Sequence, residues 1–343
     1  MDRPTVHDLA RHARVSLATV DRVLNGRPGV REQTISRVQK AIDELGYSRD
    51  ANAATLARKK PHRFVFLLPR SNNQFLATLM EAIHETASTN AALRANIEVV
   101  QAPMRTPEDA SHAIRSLDSE ALDGLAIMAP ETPSIRDAVL NLQARGVQVV
   151  PIISDLPNAG CDHFVGINNV AAGRTAALLL GGFSNVSDGA IAVIGGQAME
   201  RSFVDRRLGF DAVMRERFAH LDVLPTIEGF DDAGRVEELV IKLLSQRPDL
   251  AGIYLASSGT SGLTSALRNV GNANLRVIAH DMTRASRDGL VDGLLDAVIV
   301  QDVGHIARSA IRVLRALKDG LPISASQERI RIEIFTRENL PDP

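Results

Sequence analysis

Between residues 5 and 25 the chain runs Thr-Val-His-Asp-Leu-Ala-Arg-His-Ala-Arg-Val-Ser-Leu-Ala-Thr-Val-Asp-Arg-Val-Leu-Asn, and its later half suits the surface of a DNA duplex. The guanidinium of Arg22 matches the O6/N7 edge of guanine, the methyl-bearing Leu17 and Ala18 can lie against thymine methyl groups, and Asp21 can accept from cytosine N4 or pair with Arg22. Ser16, Thr19 and Asn25 supply short polar groups of the kind that contact phosphates. Thr5, at the head of the segment, is counted with them. A three-helix cap on a larger domain is the plain alternative.

A second constellation is spread over the rest of the chain, always at the end of an apolar run. Asn72-Asn73-Gln74-Phe75 follows the first run, Ser154-Asp155 the fourth, and Ser257-Ser258, His280-Asp281 and Gln301-Asp302 follow later ones, while Arg206-Arg207-Leu208-Gly209-Phe210 opens a helix. Carboxylates and an arginine that take hydroxyls, with an aromatic ring for a C–H face, are the chemistry of a polyol site. Taken singly, Asp155 and Asp281 fit helix caps equally well, Phe75 fits a core position, and the isolated His163 and His280 read as structural.

Two kinds of scaffold must hold these groups. Over residues 1–48 the pattern predicts three short helices. Thr5 and Asp8 form a capping-box start with Val6, Leu9, Ala10 and Ala13 as an apolar stripe. Ser16 caps a second helix that packs through Val20, Val23 and Leu24, the breaker cluster Asn25-Gly26-Arg27-Pro28-Gly29 follows, and a third helix ends at Leu45 with Ile35, Val38, Ile42 and Leu45 on one face. A helix, a tight turn and a second helix is the geometry that enters a major groove. Residues 49–60 read as a linker. From residue 61 onward, apolar runs (64–68, 97–100, 124–129, 147–153, 190–194, 252–255, 277–279, 297–300) alternate with amphipathic stretches, which predicts parallel sheets covered by helices on both faces. That is more chain than one sheet usually needs, so two Rossmann-like lobes are expected within 61–343: about 61–168 plus 299–328, and about 169–298 plus 329–343. The cleft between such lobes, at the carboxyl ends of the strands, is where ligands bind.

Charge divides the chain in the same place. Residues 1–60 hold twelve Lys/Arg against seven Asp/Glu, a net +5, and the remainder is net −7. A basic module on an acidic body suits a polyanion partner.

The string Val-Ser-x-x-Thr-Val-x-Arg-Val-Leu-Asn at 15–25, followed by Gly46-Tyr47 and Asn52-Ala53-Ala54-x-Leu56-Ala57, resembles the headpiece and hinge of the LacI/GalR family of bacterial repressors, and the resemblance extends to the closing Arg337-Glu338-Asn339-Leu340-Pro341. It implies a helix-turn-helix DNA-binding domain joined to a two-lobed periplasmic-binding-protein fold of the ribose-binding-like branch. It also implies a homodimer on a palindromic operator. Leu56, with Ala53 beside it, would wedge into the minor groove, unless it is a linker leucine packed on the sensor; Tyr47 fits either a backbone contact or the headpiece core. In the sensor the resemblance assigns Asn73, Asp155, Arg206, Asp281 and Gln301 to ligand hydroxyls and Phe75 to stacking, with Ser257 near a place that often holds asparagine. Departures are visible. Arg14 stands where the family has a turn glycine, Asp21 replaces a serine, Arg31 replaces a helix cap, and Leu76 and Leu156 replace an aromatic and an arginine. The function implied is repression of carbohydrate uptake or catabolism genes under control of a monosaccharide, cyclitol or derivative. The alternative is a same-fold regulator sensing a purine or another non-sugar metabolite.

Other classes fit poorly. There is no Gly-x-Gly-x-x-Gly after the first run, no Walker A loop and no Gly-x-Ser-x-Gly, and the nine histidines lack metal-ligand spacing, so no enzyme, cofactor or metal is expected. No apolar run approaches the ~18–20 residues of a membrane span, the first residues lack a secretory pattern, and Cys161 has no partner for an internal disulfide. A reducing cytoplasm is the expected home.

Overall fold

The computed structural model describes residues 4–24, 28–45, 61–89, 95–104, 106–197, 199–271 and 275–341, which fall into two compact units, one within 1–60 and one within 61–343.

The small unit is three helices: α1 (Val6–Ala13), α2 (Leu17–Leu24) and α3 (Glu32–Leu45). α1 begins with the capping box expected of Thr5 and Asp8, each side chain serving the other's backbone N–H. The Ser16 hydroxyl accepts from the Thr19 N–H at 3.2 Å and so caps α2. Leu9, Ala10, Ala13, Val20, Val38 and Ala41 form the buried cluster, with Val23, Leu24, Ile42 and Leu45 packed against it. Two stripe members fall outside: Val6 and Ile35 sit in the first turns of their helices and stay exposed. Arg14 ends α1 with φ 53° and ψ 50°, the left-handed conformation that a glycine would adopt freely.

The large unit has two lobes. In the first, β1 (His62–Pro69), β2 (Ala95–Ala102), β3 (Gly124–Ile127) and β4 (Gln148–Pro151) make a parallel sheet in the order β2–β1–β3–β4. Helices α4 (Gln74–Thr89), α5 (Pro107–Arg115) and α6 (Pro133–Ala144) cover it. The chain then crosses to α7 (Asn169–Phe183), β5 (Gly189–Gly195), α8 (Arg201–Arg217), β6 (Leu221–Val223), β7 (Ile227–Glu228), α9 (Ala233–Gln246), β8 (Leu250–Leu255), α10 (Thr260–Val270), β9 (Arg276–His280), α11 (Arg284–Val291) and β10 (Ala297–Gln301). After α12 (Val303–Asp319) comes β11 (Ile332–Phe335), and the second sheet has the order β11–β10–β9–β8–β5–β6, with β7 also on β5.

Every apolar run singled out in the sequence falls on a strand, and all but the run at 97–100 are largely buried on both faces; β2, which holds that run, is a half-exposed edge strand. Three further strands lack that signature. β6 and β7 are short, and β11 runs antiparallel to β10 at the sheet edge with a half-exposed, alternating Ile-Glu-Ile-Phe. β10 belongs to the second sheet as far as Gln301, so the crossover to the first lobe falls after Gln301 rather than at 298/299, and α12 then packs on α4, β3 and β4. Helix α8 begins at Arg201, which puts Arg206 in its second turn rather than at its opening.

Candidate functional site

A cleft of about 960 Å³ lies between the two lobes, lined from both by strand ends and the first turns of helices. Six of the seven sensor residues named from the sequence border it: Asn73, Phe75, Arg206, Ser257, Asp281 and Gln301. Asp155 does not. Ile153 adopts φ 64°, an unusual backbone for a β-branched residue, and it is Ser154, buried to 1%, that borders the cleft. The Asp155 carboxylate instead folds over its own turn, accepting from the Leu156 N–H at 2.7 Å, on the side of Arg201, Asp205 and Glu131.

Arg206 is the centre of the second lobe's contribution. It is 5% exposed. Its Nε donates to Asn169 Oδ1 at 2.8 Å and its Nη1 to the Ala256 carbonyl at 2.8 Å, while Asn169 Nδ2 donates to the Ile153 carbonyl at 3.2 Å. The close crossing of α7 and α8 makes this possible: a Cβ on Gly173 would stand 1.8 Å from the Arg206 carbonyl oxygen, and one on Gly209 2.0 Å from that of Val170. Only glycine at both positions admits the backbone approach.

Opposite Arg206, Gln301 Nε2 donates to Asp281 Oδ1 at 3.2 Å. Burial raises the Asp281 carboxyl above its ordinary range, with Arg206 and the Gln301 bond pulling the other way. Asp281 is not a helix cap; Thr283 caps α11. His280 is buried beside it, its Nε2 2.8 Å from the Tyr254 hydroxyl, and burial then Arg206 hold it well below the usual imidazole value. The structural reading of His280 holds in that bond, yet its ring also borders the cleft and its Nδ1 has no partner; Gln301 Oε1 is likewise unpartnered. Phe75 satisfies both of its readings, packing in the core and bordering the cleft, and the apolar Leu76 borders the cleft beside it.

Sequence reasoning missed Asn169, Glu200, Phe230 and Asp231, and named Ser258 only as the neighbour of Ser257. Asp231 Oδ1 accepts from the Ser258 N–H at 2.9 Å. Phe230 stands at the rim with the Arg235 guanidinium 4.7 Å from its ring centre. Phe230 and Asp231 have φ 54° and 57°, and Asp281 63°. With Ile153, four of the five non-glycine residues at positive φ among the described residues therefore border this cleft, the clustering of backbone strain that accompanies binding sites. No spacing motif marks these loop residues. The Asn168-Asn169 pair ahead of a helix was the one available sign, since Asn168 caps α7.

The lobes touch across the cleft. Asn73 Nδ2 donates to Ser258 Oγ at 2.6 Å, the Ser202 N–H to Ser154 Oγ at 3.2 Å, and the Arg284 N–H to Gln74 Oε1 at 3.2 Å.

On the small unit, Thr5, Ser16, Leu17, Ala18, Asp21 and Arg22 are exposed and Thr19 is half-buried. The Ser16 and Thr19 hydroxyls are 2.9 Å apart. Asn25, Tyr47, Ala53 and Leu56, and with them the linker 49–60, lie outside the described residues.

Residues 64–322 match the periplasmic binding protein domain family and residues 5–50 the lacI family of bacterial regulatory proteins. The chain is similar to catabolite control protein A of Priestia megaterium, 26% identical over 316 residues that cover 88% of this chain and 90% of that one. The Staphylococcus epidermidis protein of the same name is 24% identical over 311 residues, covering 88% and 89%. Among solved structures the fold is that of an ABC-transporter solute-binding protein from Burkholderia graminis in complex with D-arabinose (TM-score 0.73, 24% identity, 82% of this chain and 98% of that one). It is equally that of GanP, a glucose-galactose binding protein from Geobacillus stearothermophilus (TM-score 0.73, 16% identity, 82% and 100%). The chain belongs to the periplasmic-binding-protein domain family and carries the lacI-family DNA-binding domain ahead of it, which makes it a DNA-binding transcriptional regulator. No helix among the described residues is long and apolar enough to cross a membrane.

Proposed function

We propose that this regulator represses genes of carbohydrate uptake or breakdown in the cytoplasm, and that a monosaccharide, cyclitol or derivative held in the cleft changes its grip on operator DNA. The observation that carries this is the convergence of Arg206, Asp281 and Gln301 from one lobe on Asn73 and Phe75 of the other. Hydroxyl-binding groups and an aromatic face thus meet only when the lobes close, with Ser257 beside them. The names of the relatives and the sugars bound by the fold's neighbours, D-arabinose among them, support the same reading.

Control follows from covalent order. Residues 49–60 run straight into β1, the strand that leads to Asn73 and Phe75. A ligand that binds the closed sensor better than the open one shifts the population toward it, and such coupling, typically ~1–3 kcal/mol, is reciprocal with DNA binding. On the DNA side, α2 reads bases through Leu17, Ala18, Asp21 and Arg22. Thr5, Ser16, Thr19, Asn25 and Tyr47 hold the backbone, and Ala53 and Leu56 enter the minor groove. Two copies on a palindrome with half-sites about one turn apart double the few contacts one headpiece can make.

A thermal-shift screen of sugars, cyclitols and purines tests the reading, repeated on Asp281→Ala and Arg206→Ala. A sugar or cyclitol should raise the melting temperature of the parent, change operator binding, and lose both effects in the variants. A purine with those properties would replace the sugar reading, and a sugar that binds both variants normally would move the site elsewhere.

A further inference from the structure

Four carboxyl groups, Glu200, Asp231, Asp232 and Asp281, border the cleft against two guanidiniums, Arg70 and Arg206, and Arg70 is exposed with a donor on the Gln101 carbonyl. Asp281, Asp231 and Glu200 all lie within the field of Arg206, yet the Nε and Nη1 donors of Arg206 are directed at Asn169 and the Ala256 carbonyl. Asp281 has Gln301 and Asp231 has the Ser258 N–H. On Glu200 the acting charges are Asp231, which opposes its ionisation, and Arg206, which favours it.

Glu200 and Asp231 converge on one spot. Asp231 Oδ2, Glu200 Oε2 and Asp231 Oδ1 lie 3.2, 3.4 and 3.5 Å from the point where a Cβ on Gly196 would stand. The bare backbone there leaves the space between two carboxylates open to the cleft that both residues border. On the same cleft, Gln301 and His280, 3% and 2% exposed, present the unpartnered Oε1 and Nδ1. Gln301 Oε1 thus adds an unanswered acceptor to the wall that carries these carboxyl groups, while His280 Nδ1 donates or accepts according to its tautomer.

We propose that the effector carries a basic nitrogen, as an amino sugar or aminocyclitol does, with its ammonium group seated between Glu200 and Asp231 beside Gly196 and its hydroxyls toward Asp281, Arg206 and Gln301. This rests on the sugar-like reading of the cleft and narrows it. A hydroxyl brings one hydrogen and no charge, so it cannot replace the proton that Glu200 holds beside Asp231. An ammonium brings three hydrogens and the missing positive charge. A metal ion is the poorer occupant, because no three metal-ligating side chains converge among the described residues. In the empty cleft burial, then Asp231, push the Glu200 carboxyl up to about 8 against the pull of Arg206. At neutral pH the arriving ammonium thus displaces the Glu200 proton to solvent, and Glu200 is left as a carboxylate paired with the ligand cation.

Calorimetric titration of the full chain with matched pairs tests this: D-glucose and D-glucosamine, D-galactose and D-galactosamine, myo-inositol and its amino-deoxy analogue. At pH 7 at least one amine should bind roughly 30-fold tighter than its hydroxyl counterpart, the scale of a desolvated charge-assisted contact. Repeating that titration in buffers of different ionisation heat should reveal release of about one proton. Glu200→Gln should collapse the ratio, and Gly196→Ala, which intrudes on the same space, should lower it. Equal or tighter binding of the hydroxyl member by the parent, or a ratio untouched by both substitutions, overturns the ammonium seat and leaves the sugar reading standing. Binding of neither series, with a purine bound instead, overturns the sugar reading and this inference together.

Discussion

Asn73 and Ser258 join the two lobes directly: the Asn73 amide donates a 2.6 Å bond across the cleft to the Ser258 hydroxyl. Both partners are tied into the site on their own side, since Asn73 Oδ1 accepts from the Phe75 N–H at 2.8 Å at the head of α4, and the Ser258 N–H holds Asp231. Asn73→Ala should therefore lower effector affinity about 5- to 30-fold, the worth of one hydrogen bond plus a partner left unsatisfied. It should also weaken the operator response in the same proportion, read by titration calorimetry and by DNA binding with and without effector. An Asn73→Ala protein with parental affinity would remove this bond from the closure mechanism.

Asp155 and Asp281 should separate under substitution. Asp155 accepts from its own turn and lies off the cleft, whereas Asp281 is 8% exposed on it at φ 63°. Asp281→Ala is expected to abolish effector binding and Asp155→Ala to change it less than about 3-fold. Comparable losses from both would return Asp155 to the ligand.

Gly173→Ala should act on Arg206 without touching the ligand. The added methyl meets the Arg206 carbonyl at 1.8 Å, so α7 and α8 must move apart. Overpacking of this kind costs about 1–3 kcal/mol or more and would pull the guanidinium off Asn169 and Ala256. A lower melting temperature together with lost effector binding is the expected pair of results; a fully stable, fully binding variant would contradict the helix crossing.

Stability should also follow Glu200. Its carboxyl is raised in the folded sensor, so the folded state keeps a proton that the unfolded chain gives up near 4.5. That contribution is complete below about 4.5 and is lost as pH climbs through about 8. His280 has the opposite sense, with its folded value depressed by burial, so its contribution is present above the ordinary imidazole value and fades as pH falls. The effector-free melting temperature should decline from pH 6.5 to 8.5, and Glu200→Gln should flatten that limb while leaving the acid limb in place. Superimposable melting profiles for the two proteins would show that Glu200 titrates normally.

What the sequence made legible depended on periodicity. Runs such as Phe64–Leu68 and Ala297–Val300 are buried on both faces and read as strands without ambiguity, and Thr5 with Asp8 spelled out the cap that α1 uses. Polar residues at strand ends were legible because parallel sheets deliver them to one rim, and Asp281 and Gln301 follow that rule. Glu200 and Asp231 sit in loops, are brought together by Gly196 and by two consecutive left-handed residues, and have no repeat to announce them. Asp155 failed for the converse reason. Ser154 and Asp155 follow the same strand end, and beyond the left-handed Ile153 it is Ser154 that borders the cleft. Ile35 obeyed its helical stripe but lies a turn beyond the six-residue cluster that the stripe was to join.

Arg14 offers a test of the small unit that is independent of ligand. It closes α1 at φ 53° and ψ 50°, and its N–H bonds back to the Ala10 and Arg11 carbonyls, so the conformation is fixed by the helix end whatever the side chain. A non-glycine residue in this region is strained by about 1 kcal/mol or more, part of which glycine returns as greater freedom of the unfolded chain. Arg14→Gly should therefore raise headpiece stability by roughly 0.5–1 kcal/mol, measured by denaturant unfolding. No gain would mean that the arginine's own contacts offset the strain.

Ser16→Ala and Arg22→Ala should weaken DNA binding in different ways, because the two side chains stand differently on α2. Ser16 spends its hydroxyl on the Thr19 N–H and lies 2.9 Å from the Thr19 hydroxyl. Removing it should loosen the start of the helix by about 1 kcal/mol and deprive both specific and random DNA of the proposed backbone contact. Arg22 is exposed near the end of α2, on the face that leaves Val20 to the core, so its loss should remove the proposed base contact while the fold stays intact. Ser16→Ala should thus lower the headpiece melting temperature and reduce affinity for operator and random sequence alike. Arg22→Ala should keep the parental melting temperature, weaken the operator by about 1–3 kcal/mol through one base pair, and relax preference at that pair. Binding measured on operator, on operators substituted one pair at a time, and on random duplex across a salt series separates the two patterns. If Arg22→Ala weakened all three duplexes equally and only lowered the salt slope, Arg22 would be a phosphate contact and the reading face of α2 would have to be assigned to Leu17, Ala18 and Asp21 alone.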